Sequence, residues 1–150
     1  MSDMAERNVE VVRRWFDALR KGGSDAALRT YDESAAPRFE WRGGPAGRDM
    51  VGGDVVYRGR EGLKRFYDEI DRVVSWWRFG EPEFKPYGER VVRVNAHLKL
   101  SWRESEVELE QDMAYVFELE DGKIVGGEAF RSAAEADAHA RERAEERVDA

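Results

Sequence analysis

Three polar side chains that could take part in proton transfer, Gln111, Tyr115 and Glu128, fall on the apolar faces of two predicted strands. Side chains alternate between the two faces of a strand, so Gln111 and Tyr115 share the apolar face of residues 107–119. By the same alternation, Glu128 lies on the apolar face of residues 123–130. A carboxyl group among apolar side chains needs either a structural or a chemical explanation.

The predicted turn at residues 121–122 sets the pairing of these two strands. A two-residue turn pairs Leu119 with Ile124 and Tyr115 with Glu128, and apolar side chains then face apolar side chains. A buried carboxylate without a partner is costly or has its pKa raised, and the phenol of Tyr115 can donate a hydrogen bond to it. Two interpretations follow: a satisfied hydrogen bond inside a filled core, or polar groups that line a cavity.

The cavity interpretation assigns a role to each polar group. Glu128 moves a proton next to the carbonyl or enol of a small apolar substrate, and Tyr115 or Gln111 stabilises the oxyanion that forms. Phe117 and Phe130 lie on the same strand faces and contact the ligand. No cofactor is indicated by any motif, and the two histidines and the acidic residues show no metal-ligand spacing.

Helical periodicity predicts three helices ahead of the main strands. The segment "AERNVEVVRRWFDALRKGG" has an apolar stripe that ends at Gly22 and Gly23, and a short second helix follows Ser24. The segment "YRGREGLKRFYDEIDRVV" forms a third helix with an apolar face. Between them, "RFEWR" is typical of a short strand, and a glycine-rich stretch follows it. That stretch, residues 43–54, forms either a surface loop or a lid over a pocket.

Four strands and a helical tail complete the predicted chain. The first strand, residues 76–86, contains two prolines and is therefore predicted at an edge of the sheet. Residues 91–102, 107–119 and 123–130 follow with short connections, of which the four-residue turn at 103–106 pairs Leu98 with Gln111 and Val94 with Tyr115. The tail, residues 132–150, opens with a capping box, has a stripe made of alanine alone, and is predicted to pack weakly and fray after Arg143.

The composition favours one globular domain over residues 1–150. The chain is 41% hydrophobic and 38% charged, with a formal net charge of -7 and no cysteine. The acidic balance argues against nucleic acid as a partner, and disulfide or thiolate chemistry is excluded. No apolar run is long enough to cross a membrane, and the N-terminus lacks the apolar stretch of a signal peptide. We therefore expect a cytoplasmic protein.

Two aromatic residues of the first strand indicate an interface. Trp77 and Phe79 project from one face of this strand, and Trp76 and Arg78 project from the other. We predict that the face with Trp77 and Phe79 is the outer face of the sheet. Exposed aromatic side chains are explained by a homodimer through the outer sheet surface, or alternatively by packing at the end of the sheet.

The order of these elements resembles the SnoaL-like branch of the nuclear transport factor two-like superfamily. The resemblance is carried by "VVRRWFDALRKGG", "FEWR", "YRGREGLKRFYDEI", "GERVVRV" and "VFELEDGKIVGGEAFRSAAEA". It implies a cone-shaped α+β fold, in which a strongly bent, mostly antiparallel sheet wraps around N-terminal helices and encloses a deep pocket. Many members of the superfamily are dimers through the outer sheet surface.

The resemblance also implies a ligand pocket. Relatives include polyketide cyclases, steroid isomerases and non-catalytic ligand binders, and the enzymes use pocket carboxylates, tyrosines or histidines as acids and bases. Trp15, Trp41 and Tyr67 supply apolar walls. Two hypotheses stay open: a cofactor-independent isomerase or cyclase with Glu128 as its proton carrier, and a non-catalytic binding or dimerisation module.

Overall fold

The computed structural model describes residues 2–43 and 56–146. Three helices and seven strands occupy these ranges. In chain order they are α1 (Asp3–Ser34), β1 (Ala35–Arg42), β2 (Val56–Arg58), α2 (Gly59–Val73), β3 (Val74–Phe79), β4 (Glu83–Tyr87), β5 (Val91–Trp102), β6 (Glu108–Glu120), β7 (Lys123–Phe130) and α3 (Ala133–Glu146). The glycine-rich stretch predicted as a loop or lid lies, apart from Gly43, outside the described residues.

The strands form one strongly curled, half-barrel sheet in the order β2-β1-β7-β6-β5-β3, and β4 pairs with β5 as well. β1 and β7 are parallel, and the other pairs are antiparallel. Helices α1 and α2 pack on the concave face of the sheet, where most buried apolar side chains lie. The predicted α+β class with a bent sheet around the N-terminal helices is therefore confirmed.

Glycine breaks α1 where the sequence predicted a helix end. Gly23 has φ 72°, in the left-handed region that glycine adopts without the steric cost of a Cβ. The chain then resumes a helix in which Leu28 and Tyr31 are buried, as predicted. The break lets the two segments follow different directions over the curved sheet.

The predicted pairing of β5 with β6 is confirmed. Leu98 lies opposite Gln111 and Val94 lies opposite Tyr115, and the register continues without interruption from Val91 to Ser101. Alternation along most of both strands specifies this register, because a slip of one residue would turn the large apolar side chains of the concave face outward.

The predicted pairing of Tyr115 with Glu128 is wrong. Leu119 does face Ile124, but Val125 is then an extra residue, so Tyr115 lies opposite Ala129 and Glu128 lies opposite Val116. This β-bulge shifts every later residue of β7 by one position and turns Glu128 to the convex face. A bulge is tolerated here because the next residue is a glycine, which has no side chain to misplace.

Residues 76–86 form two edge strands instead of one. β3 and β4 are separated at Gly80–Pro82 and pair with successive parts of β5. Trp77 lies opposite Leu100 and Phe79 opposite Leu98, so both aromatic side chains point into the concave side. Their predicted place on the outer surface is wrong, and the homodimer prediction loses the two residues on which it was based.

The tail packs on the sheet through the predicted alanine stripe. Ala136 and Ala140 are fully buried on the convex face of the sheet, where they contact Val91, Ala114, Val116 and Phe130. Asp137 of α3 accepts a hydrogen bond from the Tyr87 hydroxyl at 2.9 Å. The predicted cap is present, since Ser132 Oγ accepts from the Glu135 backbone N–H. The helix continues to Glu146, three residues beyond the predicted onset of fraying.

None of the helices in the described ranges carries an apolar stretch long enough to cross a membrane.

Candidate functional site

A cavity, called the central cavity below, lies between α1, α2 and the concave face of the sheet. Fifteen side chains of the described residues line it, and nine of them are aromatic. The empty space between these side chains and at the mouth is about 600 Å³, but the volume that water-sized spheres can occupy is only about 50 Å³. The site is therefore a narrow aromatic slot.

Five predicted site residues line the central cavity: Trp15, Trp41, Tyr67, Tyr115 and Phe117. Trp15 lies on α1, Trp41 on β1, and Tyr67 on α2. Tyr115 and Phe117 both lie on β6. The helical residues belong to the apolar stripes of their helices, and those of β6 share its concave face. These are the elements whose periodicity is clearest in the sequence.

Three predicted site residues lie elsewhere. Gln111 is on the concave face of β6 but not in the lining, and its amide donates to the sulfur of Met113 at 3.0 Å. Phe130 is on the convex face, where its ring stacks on His139 with centroids 5.1 Å apart. Glu128 is on the convex face too, 3.8 Å from His139 Nε2. The bulge at Val125 accounts for both displaced β7 residues.

Glu128 belongs to a second, polar depression, called the outer cleft. It lies between β1, β7 and α3 and has charged side chains of both signs on its walls. Arg143 makes two contacts with Glu118 there, and Arg42 pairs with Glu40. These ion pairs are partly exposed and contribute little stability each. The outer cleft and the central cavity lie on opposite faces of the sheet.

The hydrogen-bonding groups of the central cavity are two phenols and three indoles. Trp15 Nε1 donates to the Tyr67 hydroxyl at 3.0 Å. Burial raises the pKa of Tyr67 and, more strongly, the pKa of Tyr115, which is raised further by the charge that Tyr67 would carry. Both phenols are therefore neutral at physiological pH, because burial disfavours the phenolate.

Tyr115 presents a hydroxyl without a partner among the described residues. The phenol ring is held by aromatic neighbours: Phe16, Trp41 and Phe79 lie 5.7 to 5.9 Å away between centroids. The residue as a whole is buried. A phenol held this way is a hydrogen-bond donor ready for an acceptor in the central cavity.

The central cavity carries no formal charge within the described parts of the chain. No Asp, Glu, His, Lys or Arg of residues 2–43 or 56–146 belongs to its lining. The described lining therefore supplies no carboxylate that could carry a proton. It can hold a ligand by van der Waals contact and by hydrogen bonds from neutral donors. Within the same ranges, no group of three His, Asp or Glu side chains is arranged to hold a metal ion.

Sequence reasoning missed several lining residues, of which Trp77 and Phe79 on β3 are the most prominent. The alternation of side chains along the strand placed Trp77 and Phe79 on the same face. It does not indicate whether that face is the concave or the convex one. Ala129 was also missed, because the bulge exchanges it with Glu128. A signal for the bulge was present in the adjacent glycines 126 and 127, since glycine inside a strand often marks one.

The comparisons with known proteins agree with this architecture. The sequence matches no protein-family model and no curated protein. A putative SnoaL-like polyketide cyclase from Jannaschia species is 18% identical, with a TM-score of 0.70 over 94% of this chain and 96% of its own. A nuclear transport factor two-like protein of unknown function from Burkholderia pseudomallei is 20% identical, with a TM-score of 0.70 over 90% and 95% of the two chains.

A third solved structure is that of TerC co-crystallised with polyporic acid. It is 21% identical to this chain, with a TM-score of 0.69 over 91% of this chain and 98% of its own. Likeness at these identities shows the fold. The chain has the cone-shaped α+β fold of the nuclear transport factor two-like superfamily, as the resemblance implied.

Proposed function

We propose that the protein binds a small, flat, neutral molecule in the central cavity, and that the Tyr115 hydroxyl donates a hydrogen bond to an oxygen of that molecule. The observation that carries this proposal is the described lining: nine of its fifteen side chains are aromatic, and its ionisable groups are phenols with raised pKa values. An apolar cavity with a few oriented polar groups is the usual form of a small-molecule site.

The chemistry of the lining selects among ligands. A carboxylate ligand would lose its hydration on entry and would meet no cation among the described lining residues, so the cost of burying its charge is not offset. A ketone loses far less hydration and gains the Tyr115 hydrogen bond. Aromatic rings favour a flat ligand, because stacked and edge-to-face contacts add to the burial of apolar area. We therefore expect aromatic ketones to bind better than aromatic acids of equal size.

Three one-ring probes test the proposal: acetophenone, ethylbenzene, which lacks the oxygen, and benzoate, which is charged. We expect isothermal titration to rank acetophenone first and benzoate last. Tyr115→Phe should weaken acetophenone binding roughly two- to twelvefold, equal to about 0.5–1.5 kcal/mol for one hydrogen bond, and leave ethylbenzene unchanged.

Tyr87→Phe is the matched control, because the Tyr87 hydroxyl bonds Asp137 on the convex side. It should change binding of none of the three probes. The proposed function would be contradicted if benzoate bound more tightly than acetophenone. It would also be contradicted if Tyr115→Phe lowered the affinities for acetophenone and ethylbenzene equally.

A second candidate function is catalytic, and the unpartnered Tyr115 hydroxyl favours it. A phenol that donates to a carbonyl also stabilises the oxyanion of an enol, which is the step an isomerase or cyclase accelerates. The solved relatives with this fold include a putative polyketide cyclase. The described lining supplies no base for the accompanying proton removal, so binding is the function the site supports better. Deuterium loss from the methyl group of bound deuterated acetophenone in water would favour the catalytic candidate.

A further inference from the structure

The three tryptophans of the central cavity differ in how their indole N–H groups are satisfied. Trp15 Nε1 donates to the Tyr67 hydroxyl at 3.0 Å, and Trp77 Nε1 donates to Asp71 Oδ1 at 3.0 Å. Trp41 Nε1 is buried and has no hydrogen-bond partner among the described residues. Buried polar groups are nearly always paired. A conformation that leaves one without a hydrogen bond is destabilised by that loss.

The Trp41 ring lines the central cavity and packs against the backbone of β7. The contact is at Gly127, where an added Cβ would lie 2.7 Å from Cζ3 and 2.8 Å from Cε3 of Trp41. The ring contacts Phe66 of α2 at 5.5 Å and Phe117 of β6 at 5.9 Å between centroids. It therefore fills the space that would otherwise separate α2 from this part of the sheet.

The free volume is too small for a ligand while every lining side chain stays in place. An apolar cavity of about 150 Å³ accepts benzene, whereas the central cavity has about 50 Å³. Some lining side chain has to move. The tryptophans are the largest side chains of the described lining. Among them, displacing Trp15 or Trp77 breaks an indole hydrogen bond. Displacing Trp41 breaks none with the described residues and lets its N–H find an acceptor.

We propose that Trp41 determines the size of ligand that the central cavity admits, and that ligands bind by displacing its indole ring from the β7 backbone at Gly127. This inference rests on the proposed function, because it concerns ligands of the same cavity. A protein whose binding-competent conformer is a minor species binds more weakly in proportion to that fraction. Removing the ring should therefore tighten binding, most of all for ligands of two rings.

The test compares acetophenone with 2-acetylnaphthalene on the wild type, Trp41→Leu and Trp76→Phe. Trp76 lies on the outer face under the Arg78 guanidinium and is the control for loss of a tryptophan. We expect Trp41→Leu to bind 2-acetylnaphthalene about ten- to a hundredfold more tightly than the wild type, as a conformer populated at roughly 1–10% implies. The gain for acetophenone should be smaller, and Trp76→Phe should match the wild type.

A ligand-free measurement accompanies the titrations and covers the case in which Trp41→Leu fails to fold. Trp41→Phe removes an unpaired N–H and Trp15→Phe removes a paired one, so the urea midpoint should fall further for Trp15→Phe. Equal midpoints for these two variants would overturn the inference.

The outcomes separate the two proposals. Equal affinity of the wild type and Trp41→Leu for both probes would overturn the role of Trp41 and leave the proposed function standing. Failure of both probes to bind the wild type and a folded Trp41→Leu variant would overturn both proposals.

Discussion

Replacing Gly127 by alanine tests the observed register of β7 and the position of Trp41 together. The new Cβ would lie 2.7 Å from Trp41 Cζ3 and 3.0 Å from Phe117 Cε1. Two rings must shift to make room, and overpacking of this kind costs about 1–3 kcal/mol. At Gly126 the nearest atom is the Glu40 carbonyl oxygen at 3.4 Å, so Gly126→Ala should cost less.

The assay is urea unfolding of Gly127→Ala and Gly126→Ala, followed by far-ultraviolet circular dichroism. We expect the Gly127 variant to lose about 1–3 kcal/mol of unfolding free energy and the Gly126 variant clearly less. The uninterrupted register predicted from the sequence places Gly126 opposite Phe117 inside the core. The opposite order of stability would therefore refute the bulge at Val125 and, with it, the exclusion of Glu128 from the central cavity.

Three further predictions concern charged groups outside the central cavity. Glu128→Gln should leave acetophenone affinity within twofold of the wild type in titration calorimetry, because Glu128 lies in the outer cleft; a larger loss would return it to the ligand site. Asp137→Ala should lower the unfolding free energy by about 1–3 kcal/mol, because buried Arg93 then keeps only exposed Glu83 as an ion-pair partner among the described residues. The control Glu142→Ala, at an exposed position, should cost under about 0.5 kcal/mol. The Glu110 and Asp112 carboxylates raise the pKa of His97, so the stability they lend is full below pH 6.5 and is lost as pH rises through the raised pKa. The wild type should thus exceed His97→Gln in urea midpoint at pH 5.5 and not at pH 8.5, and a gap that widens with pH would contradict it.

Sequence patterns were sufficient for the parts of the fold where periodicity is regular. The helical stripes placed Trp15 and Tyr67 inward, and alternation on β5 and β6 placed Tyr115 and Phe117 inward. Each of these positions is supported by several neighbours with the same period, so a single irregular residue does not change the result. Four of the five predicted lining residues lie on these regular elements.

The sequence-based predictions failed in strands where the placement of one residue decides which face all later residues of the strand occupy. The bulge at Val125 turned Glu128 and Phe130 outward, and alternation contains no information about an extra residue in one strand. The face of Trp77 depended on which side of β3 is concave, which is set by its pairing with β5. The first error concerns the register of a hairpin and placed an acid in the predicted site. The second concerns the pairing of β3 with β5 and left two aromatic rings out of it.

The carbonyl chemical shift of bound acetophenone labelled with carbon-13 tests most directly whether Tyr115 donates to a neutral ligand in the central cavity. A hydrogen bond to the oxygen draws electron density from the carbonyl carbon and moves its resonance downfield. We expect the resonance in the wild-type complex to lie downfield of its position in hydrocarbon solvent and to return upfield in Tyr115→Phe. The same shift in both complexes, or a position that matches hydrocarbon solvent in the wild type, would contradict the account.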